Sequence, residues 1–129
     1  MATEIRTHAL VIGAGPAGLY AAFQLGLLGL DAHIVDALPT VGGQCEALYA
    51  DKPIYDIPAM PPSSGRELAT ALLAQLQQIQ AFAPIAQRLH LGQVVASVQY
   101  QADNKTYRIQ TAQGQTIIAP RHIMTPRAG

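Results

Sequence analysis

The tightest constraint on this chain lies between His8 and Gly18. An apolar run, His8 to Ile12, leads straight into Gly13-Ala14-Gly15-Pro16-Ala17-Gly18. A short, continuous apolar run is the pattern of a parallel strand covered on both faces. Glycines spaced G-x-G-x-x-G between a strand and a helix have distinct uses. Gly13 permits the tight turn, Gly15 lets the backbone approach a pyrophosphate, and Gly18 lets the helix pack close to the strand. Leu19 to Leu28 then reads as a helix short of polar residues and therefore buried, with Gly29 as its C-terminal stop. Ala32 to Val35 is a second short strand, ending at Asp36. Together they predict a right-handed parallel crossover and an α/β fold of Rossmann-like type.

Exposed amides at the start of such a helix, with its dipole, favour phosphates. Asp36 follows Gly18 at roughly the twenty-residue spacing at which a carboxylate accepts hydrogen bonds from an adenosine ribose. An acid there repels a 2′-phosphate, so the site is expected to take FAD or NAD rather than NADP. The spacing does not choose between those two.

Ala9 to Leu30 carries no formal charge and is long enough to span a bilayer. It is interrupted by Gly13, Gly15, Pro16, Gly18, Gly26 and Gly29, and the preceding segment sets Glu4 against Arg6 rather than forming a basic leader. A buried strand, turn and helix explain it better than a membrane span. Eight basic residues balance eight acidic ones, leaving no global field to attract nucleic acid. Five Tyr, two Phe and no Trp offer few stacking platforms for bases. Cys45 is the sole cysteine, which excludes an internal disulfide, a CxxC pair and a Cys-rich zinc site in these residues. Among apolar neighbours it reads as packing rather than as a redox thiol. His8, His33, His90 and His122 lack metal-ligand spacing, so no metal site is expected. With 129 residues the chain has room for one domain.

From Leu38 to Pro62 prolines and glycines break any regular pattern, yet Cys45, Leu48, Tyr49, Ile54, Tyr55, Ile57 and Met60 supply apolar mass. This predicts an ordered loop packed against something. Ser64-Gly65-Arg66-Glu67 is a capping-box pattern, and Leu68, Leu72, Leu76, Ile79 and Phe82 follow at helical spacing until Pro84. Strand-like runs come next: Arg88 to Leu91, Val94 to Gln101, Thr106 to Thr111 and Gln115 to Ala119. Turns at Asp103-Asn104 and Gln113-Gly114 join the last three into a small antiparallel meander.

The loop carries a longer and more specific series: Gly42-Gly43-Gln44-Cys45, Ala47-Leu48-Tyr49, then Lys52-Pro53-Ile54-Tyr55-Asp56-Ile57-Pro58-Ala59. With the glycine turn, residues from about Thr7 to Gly92 closely resemble the amino-terminal FAD half of the thioredoxin-reductase-like ferredoxin/flavodoxin–NADP+ reductases. The resemblance continues more faintly through the meander. It implies that Gly13, Gly15 and Gly18 hold the FAD pyrophosphate and Asp36 the adenosine ribose. Gln44 matches a glutamine that hydrogen-bonds the cofactor near its flavin end, and Tyr49 a tyrosine placed against the isoalloxazine. Val95, in Gly92-Gln93-Val94-Val95, sits where the family offers backbone amide and carbonyl to adenine. In such enzymes the flavin exchanges a hydride with NADPH and single electrons with ferredoxin or flavodoxin. The protein positions and tunes the ring, so no side chain of this chain is named as catalytic.

The family also has an NADPH-binding domain, with its own glycine motif, and a carboxy-terminal segment that returns to the FAD. Neither is recognisable here. Residues 1–129 are therefore expected to be the amino-terminal part of the FAD-binding domain of a flavoprotein with two dinucleotide sites. Where the family has a glycine-rich turn touching FAD again, this chain has His122-Ile123-Met124-Thr125-Pro126-Arg127-Ala128-Gly129. Pro126 lacks a backbone donor, and Arg127 stands where a glycine would let the backbone approach. By the resemblance the complete enzyme is expected to be a cytoplasmic homodimer. Two other readings stay open: a non-enzymatic fragment that binds FAD or an adenine nucleotide, and a different flavoprotein such as a thioredoxin reductase.

Overall fold

Apolar runs too short to form a core by themselves are stacked here into layers. The computed structural model describes residues 3–39, 53–54, 63–79 and 84–125. In chain order the elements are β1 (Thr3–Arg6), β2 (Ala9–Ile12), α1 (Pro16–Leu27), β3 (Ala32–Val35), β4 (Pro53–Ile54), β5 (Ser63–Ser64), α2 (Gly65–Gln77), a short 3-10 turn (Ile85–Gln87), β6 (Leu89–His90), β7 (Val95–Gln101), β8 (Thr106–Thr111), β9 (Gln115–Ala119) and β10 (His122–Met124).

The first crossover forms as the sequence predicts. β2 and β3 pair in parallel, Ala9 opposite Ala32 and Ile12 opposite Val35, with α1 between them in the chain. β6 extends this sheet beyond β3 and β10 extends it beyond β2, giving the all-parallel order β10-β2-β3-β6. The second sheet has the order β1-β9-β8-β7. Its β7–β8–β9 part is the expected antiparallel meander. β1, which local patterning did not reveal, joins it in parallel along β9.

Period-two alternation sends the two faces of β2 and β3 into different environments. Ala9, Val11, Ala32 and Ile34 pack under the helices with Leu19, Ala22 and Leu76, all fully buried. Leu10 and Val35 point the other way and meet Ile109 and Ile117 of the meander. The arrangement is thus helices, parallel sheet and meander, three layers with two interfaces.

Each helix end has a local cause. α1 starts with Pro16 in its first turn, where a missing N–H costs nothing. It closes in a Schellman motif, with Leu30 N–H donating to Leu25 O at 3.0 Å and Gly29 N–H to Gly26 O at 2.9 Å. α2 opens with the predicted capping box: Glu67 N–H donates to Ser64 Oγ at 3.1 Å, and Ser64 N–H to Glu67 Oε1 at 3.3 Å. It ends at Gln77, before the proline that the spacing pointed to.

Candidate nucleotide site

Chain entry into the site is fixed by two glycines. Gly13 leaves β2 at φ +121° and donates its N–H to Val35 O at 2.7 Å, tying the turn to the end of the neighbouring strand. A side chain there would be strained and would also collide with Thr125. Gly18 lies one helical turn further on, where a Cβ would run into the Gly13 carbonyl and meet Val11 Cγ1 at 3.3 Å. The third glycine of the motif therefore sets how closely α1 approaches the turn. Gly15 is the N-cap of α1, in extended conformation, and no side chain caps the helix. Among the described residues the first-turn amides of α1 therefore have no side-chain acceptor, the condition under which a helix start receives an anion.

Asp36 is 8% exposed and braces this turn from β3. Its Oδ2 accepts the Ala14 N–H at 2.6 Å and its Oδ1 accepts the Leu38 N–H at 2.8 Å. A carboxylate offers about four acceptor positions, so each oxygen keeps one for a further donor. Gly13, Asp36 and Val95 come together on the wall of one cavity of about 630 Å³, a volume within the usual range for small-molecule sites. Gln93, Met124 and Thr125 complete that part of the wall. No lysine or arginine lines it among the described residues, so a phosphate there would rely on backbone amides and the helix dipole.

Val95 lies at the start of β7, beside an irregularity in the pairing with β8 between Val95 and Ser97. The backbone of its neighbour Val94 is committed on both sides: its N–H donates to Gln113 Oε1 at 2.9 Å, and its carbonyl accepts the Ala112 N–H at 2.8 Å. Gln44 and Tyr49 lie outside the described residues, as do Cys45, Pro126 and Arg127.

Sequence reasoning missed two groups. Thr125 donates its hydroxyl and its N–H to Ile12 O, both at 3.0 Å, and packs against Gly13, so the end of β10 forms part of the site. The faint signal was the apolar strand leading to it. The second group is a polar network at the β3–β6 edge. His33 Nδ1 and His90 Nε2 are 2.9 Å apart, with the rings stacked. Arg88, which pairs with Asp31, lies 3.4 Å from His33 Nε2. Arginine only donates, so His33 accepts at Nε2, carries its hydrogen on Nδ1 and gives it to His90. His90 then holds its own hydrogen on Nδ1, facing the Gln115 side chain at 3.3 Å. With its nitrogen toward the ring, Gln115 leaves Oε1 buried and unpartnered among the described residues. A half-turn of the carboxamide gives that oxygen the His90 hydrogen. Burial above all, then the neighbouring His90 and Arg88 charges, push His33 down to about 4, while Asp31 works against them; burial lowers His90 too. The network bears on the site because the His90 carbonyl accepts the Asp36 N–H at 3.0 Å.

Among the described residues no three His, Cys, Asp or Glu side chains are grouped to hold a metal ion. No described helix is long and apolar enough to cross a membrane.

The fold and the cavity define a domain of the Rossmann-like class. A family model described as an NAD(P)-binding Rossmann-like domain matches residues 11–60. Solved structures agree at the level of fold. Cyclohexanone monooxygenase from Rhodococcus sp. Phi1, bound to NADP+, superposes with a TM-score of 0.74 at 19% identity, over 95% of this chain and 26% of that one. L-proline dehydrogenase from P. horikoshii gives a TM-score of 0.72 at 18% identity, over 95% of this chain and 22% of that one.

Among curated proteins the matches are much nearer. This chain is 50% identical over 115 residues to a ferredoxin–NADP reductase of Verminephrobacter eiseniae, covering 89% of this chain and 31% of that protein. It is 57% identical over 95 residues to the ferredoxin–NADP reductase of Paracidovorax citrulli, covering 74% of this chain and 25% of that protein. The chain is thus a homologue of ferredoxin–NADP reductases and spans less than a third of the length of these relatives.

Proposed function

We propose that this chain is the FAD-binding part of a reductase that moves electrons between NADPH and ferredoxin or flavodoxin. The single observation that carries the reading is the cavity in which Gly13, Asp36 and Val95 meet, in a chain 50% identical to a ferredoxin–NADP reductase. The described residues fit the adenosine diphosphate half of FAD. The glycine turn and the uncapped start of α1 receive the pyrophosphate through backbone N–H groups. Asp36, already braced by Ala14 and Leu38, accepts the ribose hydroxyls with its remaining acceptor positions. Val95 offers its backbone to adenine. By the family resemblance, Gln44 and Tyr49 serve the flavin end.

When bound, a flavin supplies the chemistry that links two-electron hydride exchange with NADPH to one-electron exchange with a protein carrier. The residues of this chain bind and orient it and keep its phosphates off bulk water. The complete enzyme works in the cytoplasm as a homodimer.

Titration of the chain with FAD tests the binding half of this reading, with visible bands near about 370 and 450 nm in the protein fraction after gel filtration as the expected result. Electron transfer is tested in a chimera where this chain replaces the matching segment of the Verminephrobacter eiseniae relative. That chimera should be yellow and reduce ferricyanide with NADPH; a folded, colourless chimera would refute the proposal. A chain that binds FAD but gives an inactive chimera would favour a binding fragment without enzymatic function.

A further inference from the structure

Gln93 stands on the cavity wall between the two residues assigned above to the adenosine half, and it was given no role by the sequence. Its N–H donates to the Asp36 carbonyl at 2.9 Å, next to the Gly92 N–H bond to Leu38 O at 3.0 Å, so its backbone is stitched to the end of β3. Its carboxamide is held by a hydrogen bond to β8. Thr111, 5% exposed on β8, accepts the Gln115 N–H at its Oγ1 at 3.1 Å. The same hydroxyl donates to Gln93 Oε1 at 2.8 Å. One acceptor position of the Gln93 carboxamide oxygen is therefore taken by Thr111. Its NH2 group has no hydrogen-bond partner among the described residues.

Two residues with complementary polar side chains thus line the cavity, tied to each other through the backbone. Asp36 can only accept, and Gln93, held as it is, has both NH2 hydrogens to donate. Adenosine has the matching pair, with ribose hydroxyls to give and ring nitrogens or ribose oxygens to receive. We infer that Gln93 is an adenosine-recognising residue, its NH2 donating to an acceptor on the adenosine half of the dinucleotide, and that Thr111 is the positioning residue that fixes its orientation. This rests on the reading of the cavity as the FAD site. It adds a side-chain donor to a set that otherwise consists of one carboxylate and backbone groups.

The test is binding of AMP and FAD to the 129-residue chain, followed by fluorescence and by the side-chain amide signals of 15N-labelled protein. In the parent chain, AMP should shift the NH2 signals of Gln93, assigned by their loss in Gln93→Met. Gln93→Met should weaken AMP and FAD roughly three- to tenfold, the scale of one hydrogen bond. Gln93→Glu, which puts an acceptor and a charge beside Asp36, should weaken them more. Thr111→Val should weaken AMP to an intermediate degree, and Thr111→Ser should restore it. A purely structural role for Gln93 would lower thermal stability without moving its NH2 signals on adding AMP. Binding within twofold of the parent in Gln93→Met, or NH2 signals that ignore AMP, would overturn the inference while leaving the FAD site intact. A parent chain that binds neither AMP nor FAD would overturn both. Should Gln93→Met fail to fold, the Thr111 pair and the parent's NH2 signals decide the matter.

Discussion

The two faces of the parallel sheet are built on different chemistry. Toward the helices, Ala9, Val11, Ala32 and Ile34 make a dry interface whose residues contribute no polar side chain. Toward the meander, Leu10 and Val35 share the interface with His33, whose neighbours are His90 and Arg88, and His90 in turn faces Gln115. The first face is held by close packing alone and is insensitive to protons. The second depends on each nitrogen and oxygen having the right partner. Close packing sets the approach of α1 to the glycine turn; the polar network, through the His90 carbonyl, sets Asp36. The proposed nucleotide site at the junction draws on both.

The largest effect should come from breaking the dry side at its tightest point. Gly18→Val drives a branched side chain into the Gly13 carbonyl and Val11, costing about 4 kcal/mol or more and removing FAD binding, as read by urea unfolding and titration. Ile34→Ala empties a fully buried position between sheet and helices and should cost about 3 kcal/mol. That loss should be the same at pH 7 and pH 5, since the described residues it packs with in this cluster are apolar.

The polar side should answer to pH instead. The folded chain holds His33 neutral down to about 4, whereas an unfolded chain protonates it near 6.5. As pH falls the unfolded state takes up the proton first. The contribution is therefore complete above 6.5 and is lost progressively toward 4. A loss of about 2 kcal/mol across that window is expected. His33→Gln should reduce the dependence between pH 7 and pH 5, leaving the share of His90, which burial also lowers. A parent chain whose unfolding midpoint does not move between pH 7 and pH 5 would remove the distinction between the faces.

Binding, rather than folding, sets Asp36 against Cys45. Asp36→Ala should weaken FAD by about 1.5–3 kcal/mol through lost charge-assisted hydrogen bonds, whereas Cys45→Ala should change it by about 1 kcal/mol or less. Equal losses by fluorescence titration would count against the ribose role of Asp36.

What the sequence made legible was local. The crossover, the glycine turn, the capping box at Ser64 and Glu67 and the meander hairpins each rest on residues within one or two turns of chain. β1 stayed hidden because its partner, β9, lies at the far end of the chain, with Thr3 opposite Gln115. The turn geometry of the proposed site was legible in Gly13, Gly18 and Asp36, because the motif ties residue type to backbone position. The bracing of Ala14 by Asp36 was not, because a spacing cannot say that a carboxylate also holds the turn. His33 and His90 looked scattered in sequence; only the parallel register of β3 with β6 brings their rings together. Gln93 went unnoticed for the same reason, since its orientation is written in Thr111 and Gln115.

The most direct test of the site is the backbone amide spectrum of the 15N-labelled chain during addition of ADP-ribose, a ligand with the adenosine and pyrophosphate but no flavin. The account predicts the largest shifts at Gly13, Ala14, Gly15, Ala17 and Gly18 and at Gln93 and Val95, with the helix-facing residues of α2 unmoved. Shifts centred elsewhere on the fold, or none at saturating ligand, would contradict it.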